Sequence, residues 1–269
     1  MTTQERSPYE VLQGMDLIAP VANAINQRAM ELTDDGRIRV KPWRHADRCW
    51  VRFHPHSDRD CLRWNEIYHH YYGVVPRGCR HCWKVVHKVP NLAQLFRLAE
   101  IMQGMGLEAK CGVDARADFG NLHGCVGFWY APLHGGLKAG RALYKQVKEH
   151  LTAEYKTDQF HLILKRGCTE MEARLPSDKW DEYAAGFDET ETALDELFDI
   201  SSPARNELDV LRPRIHASWI RRRAQVGDES AELFGRRAAK TVQYQESTHS
   251  ELDFPGLGQA AFCKGVDDE

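Results

Sequence analysis

No stretch of this chain holds the roughly 18–20 consecutive apolar residues that a membrane-crossing helix needs. The first ten residues, Met1 to Glu10, lack the basic-then-apolar pattern of a secretory leader. A cytoplasmic location is therefore expected. An overall basic excess is missing too, because 36 Lys and Arg stand against 39 Asp and Glu, a net charge of −3. No internal repeat and no low-complexity tract occurs, which excludes solenoids and fibrous arrays. With 269 residues, 42% of them hydrophobic, the chain is long enough for one large folded domain or two small ones.

What is present is concentrated in particular residues and stretches. There are 8 Cys, 13 His and 7 Trp. A reducing compartment disfavours disulfides, which leaves core filler, metal ligation or thiol chemistry for the cysteines. Charge is segregated along the chain. From Gly36 to Val89 twelve Lys and Arg face four acids, and from Thr169 to Val210 thirteen acids face three bases. From Leu211 to Lys240 eight bases face three acids. Such asymmetry fits a basic face that meets an anion, and equally fits acidic and basic segments packing side by side.

Hydrophobic spacing predicts an N-terminal helix over Tyr9 to Leu32, followed by a loop-rich, His-, Arg- and Trp-rich stretch over 37–75. Strands are expected over Cys82 to Val89, Leu107 to Ala115, Cys125 to Leu133, and from Phe160 toward Met171. Helices are expected after Asn91 and after Gly136. The order β-α-β-β-α-β predicts an α+β fold with a ferredoxin-like split βαβ core, in which two helices cover one face of a four-stranded antiparallel sheet. The expected division is an N-terminal helix and His/Cys-rich loop region (1–75), the metal-binding core (76–176), a helical region (177–240) and a polar tail (241–269).

Cys79-Arg-His-Cys82 is a C-x-x-C, whose tight turn brings two sulfurs to one point for a tetrahedral metal. In the split βαβ topology the first and fourth strands are neighbours. Cys168, late in the fourth strand, then approaches Cys79 and Cys82, with Gly167 supplying a bulge. Cys61, or Cys49, is a candidate further ligand. Zinc or a 4Fe–4S (iron-sulfur) cluster is the expected cofactor. The competing reading places the cysteines in the core, as alternation does for Cys111 and Cys125. His54-Pro-His56-Ser-Asp58 resembles a metallohydrolase string in spacing alone; surface histidines are the plainer reading.

Strand alternation places Lys84, Lys88, Lys110, Arg116 and Lys165, with the acids Glu108 and Asp114, on the sheet face away from the helices, five bases against two acids. Trp129 is expected there as a stacking ring, beside Gly127. The leading expectation is a metal-stabilised protein presenting a basic face to an anionic partner, foremost nucleic acid. No membrane partner is expected. The first alternative is an iron-sulfur enzyme acting on a nucleotide-like or small substrate, with Glu170 and Glu172 as acid–base groups beside Cys168. The second is a structural or protein-partner-binding role with core cysteines.

Overall fold

The computed structural model describes residues 12, 15–40, 49–54, 63–113, 124–199 and 212–238. The architecture is mixed α+β with two sheets. The strands are β1 (Met30–Leu32), β2 (Ile38–Val40), β3 (Trp50–Phe53), β4 (Trp83–Val89), β5 (Ala109–Val113), β6 (Cys125–Tyr130), β7 (Leu162–Arg166) and β8 (Phe198–Asp199). The helices are α1 (Ala22–Asn26), α2 (Arg77–Arg80), α3 (Leu92–Met105), α4 (Gly136–Tyr155), α5 (Thr169–Arg174), α6 (Trp180–Tyr183), α7 (Asp188–Leu197) and α8 (Arg212–Gln225). Arg63–Tyr72 winds as a wide π-helical segment.

The main sheet has five strands in the order β3-β5-β6-β4-β7, every neighbouring pair antiparallel. The expected sheet had four. The addition is β3, which pairs along β5 with Val51 opposite Cys111. Its sequence, Trp-Val-Arg-Phe, is β-prone and alternates, but it lies inside the His- and Arg-rich stretch that composition marks as loop. A second sheet, β1-β2-β8, joins the N-terminal region to the acidic segment through a parallel pair, Ile38 opposite Phe198.

Helices α3, α4 and α8 pack over one face of the main sheet. Their buried residues, including Leu95, Leu98, Met102, Leu143, Val147, Leu151, Ile215 and Trp219, form one core with Val85, Val89, Cys111 and Trp129. Two close approaches set the layer spacing. A Cβ on Gly127 would lie 2.3 Å from the Met102 methyl, and one on Gly140 would lie 3.0 Å from Trp83 Cβ. A second core gathers Trp64, Tyr68, Cys79, Cys82, Met171, Trp180, Phe187 and Phe198.

The N-terminal region departs from expectation. The continuous helix over Tyr9 to Leu32 is replaced by a 3-10 turn, Ala19–Val21, the short α1 and then β1. Pro20 lies inside the expected helix, where it cannot donate to the backbone ladder. Arg28 with φ 59° then turns the chain toward β1. The last strand also stops earlier than expected. β7 ends at Arg166, Gly167 adopts φ 59°, and Cys168 precedes α5.

Candidate functional site

Strand register decides which side chains share the sheet face opposite the three helices. Lys84 lies opposite Tyr130 on β6 and Lys165 on β7. Lys110 lies opposite Phe128 on β6 and Arg52 on β3, and Trp50 lies opposite Gly112. One face therefore carries Trp50, Arg52, Lys84, Lys88, Lys110, Phe128, Tyr130 and Lys165.

The rings and cations on it are in contact. Trp50 and Phe128 meet edge to face at 5.5 Å between centroids. Lys110 Nζ sits 4.8 Å from the Trp50 ring centroid, 5.3 Å from that of Phe128 and 5.9 Å from that of Tyr130. Lys84 Nζ sits 5.1 Å from the Phe128 centroid. Trp50, Arg52, Lys110, Phe128 and Lys165 are half-buried and Lys88 is exposed. Tyr130, at one end, belongs to the second core.

Trp129 is not among these residues. It is 0% exposed within the helix-covered core, and its indole N–H has no hydrogen-bond partner among the described residues. The reason is parity. Gly127 faces α3 because Leu98 and Met102 fill the space a side chain would need, so Trp129, two residues on, faces the helices as well. The rings that β6 gives to the cationic face are Phe128 and Tyr130. A glycine inside a strand marks a close approach, and that signal was present in the sequence. Trp50 and Arg52 were missed with the strand that carries them.

Cross-strand like charges destabilise, so Lys84 opposite Lys165 requires compensation. Lys165 pairs with Glu172 on α5. The hydrogen bond from Lys165 is the main reason the Glu172 carboxyl is held below its usual range; Ser177, donating from Oγ at 2.9 Å, and the charge of Lys84 lower it further. Glu172 is thus an ionised counter-charge rather than a proton donor with a raised pKa. Lys84, only 4% exposed, donates to the Cys168 thiol at 3.6 Å. Glu170 and Glu172 lie on α5 rather than on a strand beside Cys168, so the expected strand parity does not apply to them.

The cysteine turn leads from the second core into the start of β4, with both thiols enclosed. Cys79 lies in α2 and Cys82 just before β4, both buried in the second core. Gly167 N–H donates to the Cys82 carbonyl at 2.7 Å, which draws the backbone before Cys168 to the C-x-x-C turn. Even so, no group of three or more metal-ligating side chains forms among the described residues. Cys61, Arg116 and the His56–Asp58 part of the histidine string lie outside those residues. His54 has φ 43° and places Nε2 3.1 Å from the Gln103 carbonyl. Burial pushes the Cys111 thiol up and that of Cys125 up to about 12, as befits core cysteines.

Ion pairs fasten the turn. Glu191 on α7 accepts the Arg77 N–H at 2.7 Å and pairs with Arg80 at 3.3 Å, both side chains buried. Arg166 donates to the Arg80 carbonyl at 2.6 Å and to Asp181 at 2.8 Å. The acidic segment thus packs against the basic one, and Arg39 with Asp199 at 3.5 Å repeats the pattern. Arg223 finds its acid in Asp228, at 2.8 Å, outside the acidic segment.

Fold and site together define an α+β protein whose main sheet carries helices on one face and cations interleaved with aromatic rings on the other. No helix among the described residues is long and apolar enough to cross a membrane. No protein-family model matches this chain, and no curated protein or solved structure matches it either.

Proposed function

We propose that this protein binds single-stranded nucleic acid on the face of the main sheet that carries Trp50, Lys110 and Phe128. The observation that supports it is the interleaving of rings with lysines by strand register. Bases of any identity stack on aromatic rings, while the lysines neutralise phosphates. Lys110 lies against the rings and puts a positive charge beside a base stacked there. The stretch from β4 to β7 acts here as a split βαβ unit, with β5-β6-β4-β7 as its sheet and β3 appended to widen the platform.

Fluorescence anisotropy with labelled DNA and RNA oligonucleotides across a salt series tests the reading. Replacing Trp50 and Phe128 by Ala should weaken binding by about 1–3 kcal/mol for each base that stacks. Lys88→Gln should lower the salt slope by about 0.7. Absence of binding at low salt overturns the proposal.

A second reading retains a metal. Cys79 and Cys82 share one core beside the backbone of Cys168, and zinc or an iron-sulfur cluster there would draw at least one ligand from elsewhere, with Cys61 the first candidate. An enzyme built on such a cluster would use Glu172 to set local charge. If the cysteines are core filler, Cys79→Ser with Cys82→Ser leaves metal content unchanged.

A further inference from the structure

The outer side of α4 carries a second cationic feature. Lys138, Arg141, Lys145 and Lys148 recur at helical spacing, and all are exposed. Positions at i, i+3, i+7 and i+10 fall on one side of a helix. From Lys138 to Lys148 the stripe runs about 15 Å, and one nucleic-acid strand presents about one phosphate per 3.4 Å of axis, so it spans roughly four phosphates.

The stripe is unusual for a solvated helix face in this chain. Bases and acids are nearly balanced over the whole sequence, yet the acids of α4 are Glu149 and Glu154, both in its C-terminal half. Glu154 pairs with Arg97 on α3 at 2.6 Å. Glu149 meets Lys145 at 3.8 Å with both side chains largely in solvent, a weak interaction. The first turn holds no acid, although the helix dipole favours acids there and disfavours Lys138. A charge placement that works against helix stability points to a use outside the helix.

We infer that this stripe is a backbone track for the same nucleic-acid strand whose bases lie on the sheet face, an inference that rests on the function proposed above. The route between the two surfaces runs round the β7 edge of the sheet. α4 packs on β4 and β7, β7 is the edge strand, and Lys165 on β7 already faces the other side. A strand longer than the sheet platform passes round this edge and meets the stripe. A lipid surface fits less well, because the apolar side of α4, with Leu143, Val147 and Leu151, is spent on the core.

Two oligonucleotide lengths separate the contacts, one of about 5 nucleotides and one of about 20, below and above typical single-strand site sizes. A variant with Lys138, Arg141, Lys145 and Lys148 all changed to Gln should bind the short probe as the parent protein does. For the long probe its salt slope should be shallower by about 3, roughly 0.7 for each lost phosphate contact. Because all four side chains are exposed and their charges oppose the helix dipole rather than support it, its thermal midpoint should not fall. An unchanged slope for the long probe overturns the track and leaves the sheet reading standing. Loss of long-probe binding in this variant, together with unchanged binding after Trp50→Ala and Phe128→Ala, overturns the sheet reading and keeps the stripe. Parent protein that binds neither probe, or that binds anionic vesicles instead, overturns both.

Discussion

At the scale of single residues, two adjacent aromatic rings carry opposite assignments. Trp129 is fully enclosed by the helix-side core, and Phe128 is half-buried among lysines. Trp129→Ala should therefore lower stability by about 3–5 kcal/mol, because it empties a large site that cannot collapse fully. Phe128→Ala should cost only about 1–2 kcal/mol of stability and show its main effect on oligonucleotide binding. Chemical denaturation and anisotropy on the two variants separate the roles. Equal loss of stability in both would remove the distinction between the faces.

His87 also belongs to this scale. It is buried, with Nδ1 3.0 Å from the His161 carbonyl and Nε2 3.4 Å from the Tyr155 hydroxyl. Burial is the main cause that lowers its pKa below the ordinary 6.5. The folded state thus holds the neutral ring at a pH where the unfolded chain takes up a proton. Its contribution is complete above pH 6.5 and is lost as pH falls through the lowered folded value. Unfolding midpoints measured from pH 7.5 to 5 should fall in the parent protein, and His87→Gln should flatten that decline. A parallel decline in the variant would assign the acid sensitivity to other groups.

At the scale of elements, the fit of each segment depends on partners distant in sequence. Helix α3 is signalled locally by Asn91, whose side chain accepts from Gln94 N–H at 2.9 Å, and by Gly106 with φ 65° at its end. Its first-turn donors are completed from far away. Asp228 accepts the Leu92 N–H at 2.8 Å, and Ser230 accepts that of Ala93 at 3.1 Å. Asp228 also takes Arg223 Nε at 2.8 Å, both side chains buried. Burial alone would raise the Asp228 carboxyl, but hydrogen bonds from Ser230, Arg223 and Leu92 outweigh it and hold the group below its usual range. Asp228→Ala removes the carboxylate that faces a buried guanidinium and should destabilise by about 3 kcal/mol or more. Asp228→Asn keeps the cap and should lose less. Denaturant midpoints for the two variants check the ordering.

Helices α3 and α4 and strands β4 to β7 were readable because each has its own period, 3.6 or 2, and turn residues at its ends. The N-terminal helix and β3 were misread for opposite reasons. Helical spacing over Tyr9 to Leu32 was interrupted by Pro20, and β3 is only four residues long amid arginine and histidine. A strand that short is stabilised by β5 beside it and by α8 above it, where Trp219 Nε1 donates to the Cys49 carbonyl at 2.7 Å.

At the scale of the whole molecule, charge segregation along the chain becomes charge pairing in space. The acidic segment supplies Asp181, Glu191 and Asp199 to arginines of the basic segment and of β7. These pairs use arginines away from the sheet-face lysines, so the basic excess of residues 36–89 divides into a structural share and a surface share. Elemental analysis of purified protein is the matching whole-molecule measurement. The metal reading expects one zinc, or about four irons with visible absorption, lost in Cys79→Ser with Cys82→Ser. Unchanged composition in that variant assigns both thiols to the core.

The sequence by itself determined the α+β class, the alternation of the central strands and the cations they carry, because side-chain period and turn chemistry are local properties. It also placed the first and last strands of the central unit side by side, through topology alone. Tertiary structure decided which of two adjacent rings faces the lysines, since helix packing into Gly127 chooses the parity. It likewise decided that Lys165 meets Glu172, that Glu191 clasps the C-x-x-C turn, and that four cations of α4 face outward together. Glu191 reaches the turn from 114 residues away, Lys165 and Glu172 meet across the corner between β7 and α5, and the faces of β6 and α4 are choices made by what packs against them. Each is settled by what packs against what, which no local pattern encodes.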